Sequence, residues 1–245
     1  MVDRLMNLQD EEVKNIRVKL ILDETGSMQT RRAETISGIN EYVEILKGRV
    51  SDTEKYLLTV VKFNSNIGVD YVTTDAPIES VKKMTASDYK PDGVTNLYDA
   101  VGQVIEDTNE DLKRFSFDVP VLFVIMTDGE ENASKTKYKD RSVLFELIEK
   151  QKSDKKSTFV FLGANQDSWQ ADAIGVSANA LNYSLNNTTN TYRAVAQQTA
   201  LYARSVSASY TTSGQFQSSS NFWQGVNPLD LTKDGSSTPE DKDGN

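Results

Sequence analysis

Neither cysteine nor histidine occurs among the 245 residues. The first absence excludes disulfide scaffolds, thiolate zinc sites and iron–sulfur clusters. The second excludes Ser-His-Asp and Cys-His nucleophile systems and histidine acid–base catalysis. Long apolar runs are also missing. The longest, Val119 to Met126, contains a proline and falls far short of the ~20 residues a membrane-crossing helix needs. Positive charge is in deficit, with 27 Lys and Arg against 36 Asp and Glu and a net charge of −9. That balance disfavours a general attraction to nucleic acid or anionic lipid. The N-terminal stretch MVDRLMNLQDEEVKN lacks the apolar core of a signal peptide, so a soluble, non-exported protein is expected. What remains is the chemistry of carboxylates, hydroxyls and hard cations. The length suits one large domain, or a domain with a tail, folding around a single core without covalent staples.

From Arg17 to about Ser205, short β-rich apolar runs alternate with longer amphipathic stretches, the pattern of a mostly parallel sheet covered by helices. Strands are predicted at Arg17–Asp23, Tyr56–Phe63, Ile67–Thr73, Val119–Thr127, Ser157–Leu162 and Ala180–Tyr183. The turn signal Asn64-Ser65-Asn66 makes the second and third an antiparallel hairpin at one edge. Helices are predicted at about Arg31–Gly48, Thr95–Arg114, Tyr138–Ser153, Ser168–Ile174 and Thr188–Ser205, with a short one opened by Pro77 and running through Met84. The expected architecture is a three-layer, doubly wound α/β fold with one antiparallel edge strand. Residues 1–16 read as an N-terminal extension and 17–205 as the domain. Residues 206–245 read as a polar, flexible tail, with a strap carrying Phe222 and Trp223 as the alternative.

Acids at the ends of two buried strands carry the chemistry. Asp23 closes the first strand and Asp128 the central one, and in open α/β sheets ligands bind outside the carboxyl ends of the strands. Thr25, Ser27 and Thr95 lie in loops that open helices. Taken singly, each has an ordinary alternative: the hydroxyls serve as helix caps, and Asp128-Gly129 as a turn. Glu24, Asn96, Glu130, Asn165 and Gln166 flank these positions as candidate rim contacts. Glu131 reads as solvated rim, or with Glu24 and Glu130 as a second cation site.

Taken together, Asp23-Glu24-Thr25-Gly26-Ser27, Gly93-Val94-Thr95-Asn96 and Thr127-Asp128-Gly129-Glu130-Glu131-Asn132 resemble the von Willebrand factor A (vWA) family, in its stand-alone bacterial and bacteriophage form. The resemblance spans roughly residues 17–205. It departs from the family's Asp-x-Ser-x-Ser pattern at Thr25, where a hydroxyl is kept. It implies a Rossmann-like fold with a metal-ion-dependent adhesion site: Asp23, Thr25, Ser27, Thr95 and Asp128 would hold Mg²⁺, or Mn²⁺ or Ca²⁺ in its place. The implied role is docking a protein partner through an Asp or Glu side chain, in the cytoplasm of a bacterial host or on a virion, with no nucleic acid or membrane partner. The alternative is a structural or assembly component in which the metal only stabilises. Catalysis is disfavoured. A haloacid-dehalogenase-type phosphatase needs a second acid where Thr25 stands, phosphate-binding glycine loops are missing, and no general base is evident.

Overall fold

The computed structural model describes residues 14–164, 168–184, 187–215, 218–219 and 221–225. Six strands form one sheet: β1 (Asn15–Asp23), β2 (Lys55–Asn64), β3 (Gly68–Pro77), β4 (Val121–Thr127), β5 (Thr158–Ala164) and β6 (Ala180–Tyr183), in the order β3-β2-β1-β4-β5-β6. Every pair is parallel except β2 with β3, the expected antiparallel edge. The helices are α1 (Arg32–Lys47), α2 (Leu97–Leu112), α3 (Arg141–Asp154), α4 (Ser168–Ala173) and α5 (Thr188–Ser213). Among the described residues, no helix is long and apolar enough to cross a membrane.

Alternation along the central strands builds two cores. Val18, Leu20 and Leu22 of β1, with Leu122, Val124 and Met126 of β4, face α1 and α5. Ile21, with Val121, Phe123 and Ile125, faces α2 and α3. Because helices cover both faces, β4 reads as a near-continuous apolar run and β1 is buried along almost its whole length, its Arg17 and Lys19 paired with Asp75, while the edge strand β3 alternates between half-buried and exposed residues. The chain winds outward from β1 through β2 to β3, then returns to lay β4, β5 and β6 on the other side. The order therefore reverses between β1 and β4, and a crevice opens beyond their carboxyl ends.

Helix α1 approaches α5 closely because position 38 is glycine. A Cβ there would stand 2.3 Å from the Tyr192 ring. Gly38→Ala is expected to destabilise the fold by about 1–3 kcal/mol through overpacking, read as a lower urea midpoint at unchanged slope. A midpoint equal to wild type would mean that the Tyr192 ring shifts freely.

Two expectations are corrected. No helix runs from Pro77 to Met84: Pro77 ends β3, one tight helical turn follows at Ile78–Ser80, and the chain then continues without helix. Pro77 occupies a position where its missing N–H is harmless, the last residue of an edge strand, so it terminates rather than initiates. The last helix runs to Ser213 instead of Ser205. Val206 is buried, and the hydroxyls of Thr211, Thr212 and Ser213 each donate to the carbonyl four residues earlier. Beyond it, Phe222 is buried against Tyr202, with ring centroids 6.3 Å apart, and Trp223 Nε1 donates to the Asn179 carbonyl at 3.1 Å.

Candidate functional site

Asp23 and Asp128 leave adjacent parallel strands at the point where the strand order reverses. Asp23 is almost fully buried, at 1% exposure. Its Oδ1 accepts from the Thr25 N–H at 2.8 Å and its Oδ2 from the Thr127 hydroxyl at 2.6 Å, while its carbonyl accepts from the buried Tyr89 hydroxyl. The Ser27 hydroxyl donates to Asp128 Oδ1 at 2.6 Å and lies 3.0 Å from Thr25 Oγ1. Residues 101 apart in sequence thus meet through one short contact.

Thr95 closes the cluster, and Gly129 provides the measure of it. A Cβ at Gly129 would stand 2.9 Å from Thr95 Oγ1, 3.7 Å from Ser27 Oγ and 3.8 Å from Asp23 Oδ2. These oxygens converge on a volume that a glycine leaves open. All of Asp23, Thr25, Ser27, Thr95 and Asp128 are therefore brought together. The capping alternative fails for both threonines: Thr25 precedes the helical turn Gly26–Arg31 without a side-chain cap bond, and the residue preceding α2 is Asn96, also without one. The Thr95 hydroxyl makes no hydrogen bond among the described residues.

The electrostatics of the cluster are unbalanced. Burial raises the Asp23 carboxyl from its ordinary 3.8 to about 6, against the opposing hydrogen bonds from Thr127 and Thr25. Burial likewise raises Asp128, opposed by Ser27. No lysine or arginine is among the groups that lower either one. Two carboxylates and three hydroxyls, with no lysine or arginine hydrogen-bonded to them among the described residues, suit a small, hard divalent ion, which prefers oxygen ligands and retains some water. Among the described residues, no group of three or more acids is placed to share a cation, so the donor set depends on its hydroxyls.

The rim differs from expectation in three places. Glu24 is buried at 2% exposure. Its carboxylate takes the Lys62 ammonium at 3.1 Å and the Lys90 backbone N–H, so it ties the loop to β2 and offers nothing to a partner. Asn96 is 7% exposed, with Oδ1 buried and no donor for it among the described residues, so it lies beneath the surface. Glu131 is neither solvated rim nor second cation site: its carboxylate accepts from the Tyr98, Ala133 and Ser134 N–H groups at 2.7–2.9 Å and from the Ser134 hydroxyl. It caps α2 from a separate loop. Glu130 is exposed beside Asp128. Asn165 and Gln166 lie outside the described residues.

Sequence reasoning missed Thr127, Tyr89 and Asn132. The first had a legible signal, a hydroxyl directly before the strand-ending acid. The other two meet the site only through long-range hydrogen bonds.

The six-stranded sheet with its covering helices is a vWA-like fold. The particular neighbours are distant. Proximal thread matrix protein 1 from the mussel byssus superposes with a TM-score of 0.53 at 17% identity, over 73% of this chain and 46% of that one. A von Willebrand factor type A protein from Catenulispora acidiphila gives 0.52 at 14% identity, over 76% of this chain and 42% of that one. The vWF domain of a type V pili tip protein from Porphyromonas gingivalis gives 0.51 at 9% identity, over 77% and 96%. The chain thus spans less than half the length of the first two. No protein-family model matches the sequence, and no curated protein does.

Proposed function

We propose that this protein is a metal-dependent docking module, not an enzyme, and that it recognises a protein partner through one acidic side chain of that partner. Asp23, Thr25, Ser27, Thr95 and Asp128 would hold the divalent ion, Mg²⁺ or Mn²⁺. When bound, the ion supplies an electrophilic position that favours an anionic oxygen, since three of its five protein donors are uncharged hydroxyls. The chain's own residues do the rest. Thr127 and the Thr25 amide orient the Asp23 carboxylate, Ser27 bridges to Asp128, and Gly129 keeps the space clear of side chains. The observation that carries the reading is the convergence of Asp23, Ser27 and Thr95 oxygens on the volume above Gly129. The matrix-protein and pilus-tip neighbours fit a binding role, and they contribute the fold only.

The test is thermal unfolding with and without cation. Mg²⁺ or Mn²⁺ at about 100 times its dissociation constant is expected to stabilise wild type by about 2.7 kcal/mol. Asp128→Ala should keep a wild-type circular dichroism spectrum and lose that response, because Asp128 is half-buried at a strand end and contributes no core packing. Capture of a carboxylate-bearing partner should then be reversed by EDTA. A wild-type protein indifferent to every divalent cation would end the proposal.

A further inference from the structure

Thr95 is the one donor in the cluster whose side chain contacts none of the others through a hydrogen bond among the described residues, so something else must aim it. We propose that Asn132 is the positioning residue for Thr95, and that the loop carrying Asp128 thereby sets two donors at once; this rests on the docking reading above.

The backbone of Thr95 is bracketed on both sides by the same short segment. Its N–H donates to Asn132 Oδ1 at 3.0 Å, and its carbonyl accepts from the N–H groups of Asn132 at 3.0 Å and Ala133 at 2.9 Å. Both backbone polar groups of Thr95 are used, so turning its backbone, and with it the direction of its Cα–Cβ bond, would break three hydrogen bonds together. None of the three reaches its hydroxyl, which is left directed at the volume above Gly129.

Asn132 is itself held. Glu131 before it takes the Tyr98, Ala133 and Ser134 amides, and the Ser134 hydroxyl accepts from the Asp99 N–H at 3.0 Å. Asp99 in turn accepts from the Lys135 N–H at 2.7 Å and the Thr136 hydroxyl at 2.5 Å. The segment from Glu131 to Thr136, which follows Asp128 directly, is thus fastened along the first turn of α2. Fixing an outer partner in this way keeps a ligand's donor atom in place without touching the ion, and losing such a partner typically lowers metal affinity about 10- to 100-fold.

The experiment compares wild type, Asn132→Leu and Asn132→Asp. Leucine keeps the volume and removes the acceptor, whereas aspartate keeps the acceptor oxygen. Two quantities are read: Mn²⁺ affinity by calorimetry, and the hydrogen-exchange rate of the Thr95 amide in metal-free protein by NMR. Asn132→Leu is expected to weaken Mn²⁺ binding about 10- to 100-fold and to accelerate exchange at Thr95, with amides in β1 and β4 unchanged. Asn132→Asp is expected to restore slow exchange and near-wild-type affinity. If wild type binds Mn²⁺ and Asn132→Leu binds it equally well, or if Thr95 exchanges no faster, the positioning role is overturned and the docking reading survives. If wild type binds no Mn²⁺, both fall.

Discussion

Replacing Gly129 with alanine is expected to abolish divalent-cation binding while leaving the fold intact. The substitution removes no oxygen donor, so a loss of binding would report occupied space alone. The new methyl would stand 2.9 Å from Thr95 Oγ1, closer than side-chain carbons ordinarily approach, and within 3.8 Å of the Ser27 and Asp23 oxygens. A cation that sits ~2.1 Å from each oxygen cannot share that volume with carbon. With its backbone fixed by Asn132 and Ala133, Thr95 can yield only by turning its hydroxyl about χ1, away from the other donors. Calorimetric titration with Mn²⁺, beside a circular dichroism spectrum of the metal-free variant, checks this. Wild-type affinity in Gly129→Ala would place the ion elsewhere.

The metal-free protein should become more stable, not less, when Asp23 is changed to asparagine. The Asp23 carboxyl is raised by burial from 3.8 to about 6, so the folded chain binds its proton more tightly than the unfolded chain does. The sign follows. This group's contribution to stability is fully present below pH about 3.8 and is lost as pH rises through about 6. Above that, ionised Asp23 costs the fold roughly 3 kcal/mol, from a shift of about two units at 1.36 kcal/mol each. Asparagine removes the charge and keeps polar atoms beside Thr127 and Thr25. With EDTA at pH 8, Asp23→Asn is expected to gain about 1–3 kcal/mol in denaturant unfolding. The gap should shrink toward zero at pH 4, and the variant should show no stabilisation by Mg²⁺ or Mn²⁺. Equal stability of the two proteins at pH 8 would mean that the buried charge carries no penalty. The expected result is a donor set held at the expense of the fold and rewarded only when a cation arrives.

Much of this fold could be read directly from the order of residues. The runs RVKLILD and VPVLFVIMT announce strands covered on both faces, and an acid at the end of each places a polar group where the sheet opens. The antiparallel edge followed from Asn64-Ser65-Asn66, whose first residue does form the turn, accepting from the Asn66 and Ile67 amides. Other features were hidden for physical reasons. The segment after Ser205 is rich in serine and threonine, and composition alone cannot register that their hydroxyls satisfy backbone carbonyls within a helix, or that Val206 and Phe222 find a core. Glu24 looked like an exposed neighbour of Asp23 because its counter-ion, Lys62, is 38 residues away on β2. Asn132 and Glu131 were legible only as a polar run, since their partners lie at the start of α2, more than 30 residues earlier.

The seating of Phe222 and Trp223 has a mechanical consequence. Ser219 donates its N–H to Thr158 Oγ1 at 2.8 Å, and Asn179 Oδ1 receives the Phe222 N–H at 2.9 Å, so Ser219 and Phe222 are moored where β5 and β6 begin. Asp23 and Asp128 lie where their strands end, at the other pole. Tension applied between an attached protein and Gly225 would run lengthwise along the parallel strands, loading their ladders of hydrogen bonds in shear, many at once, instead of unzipping them one by one.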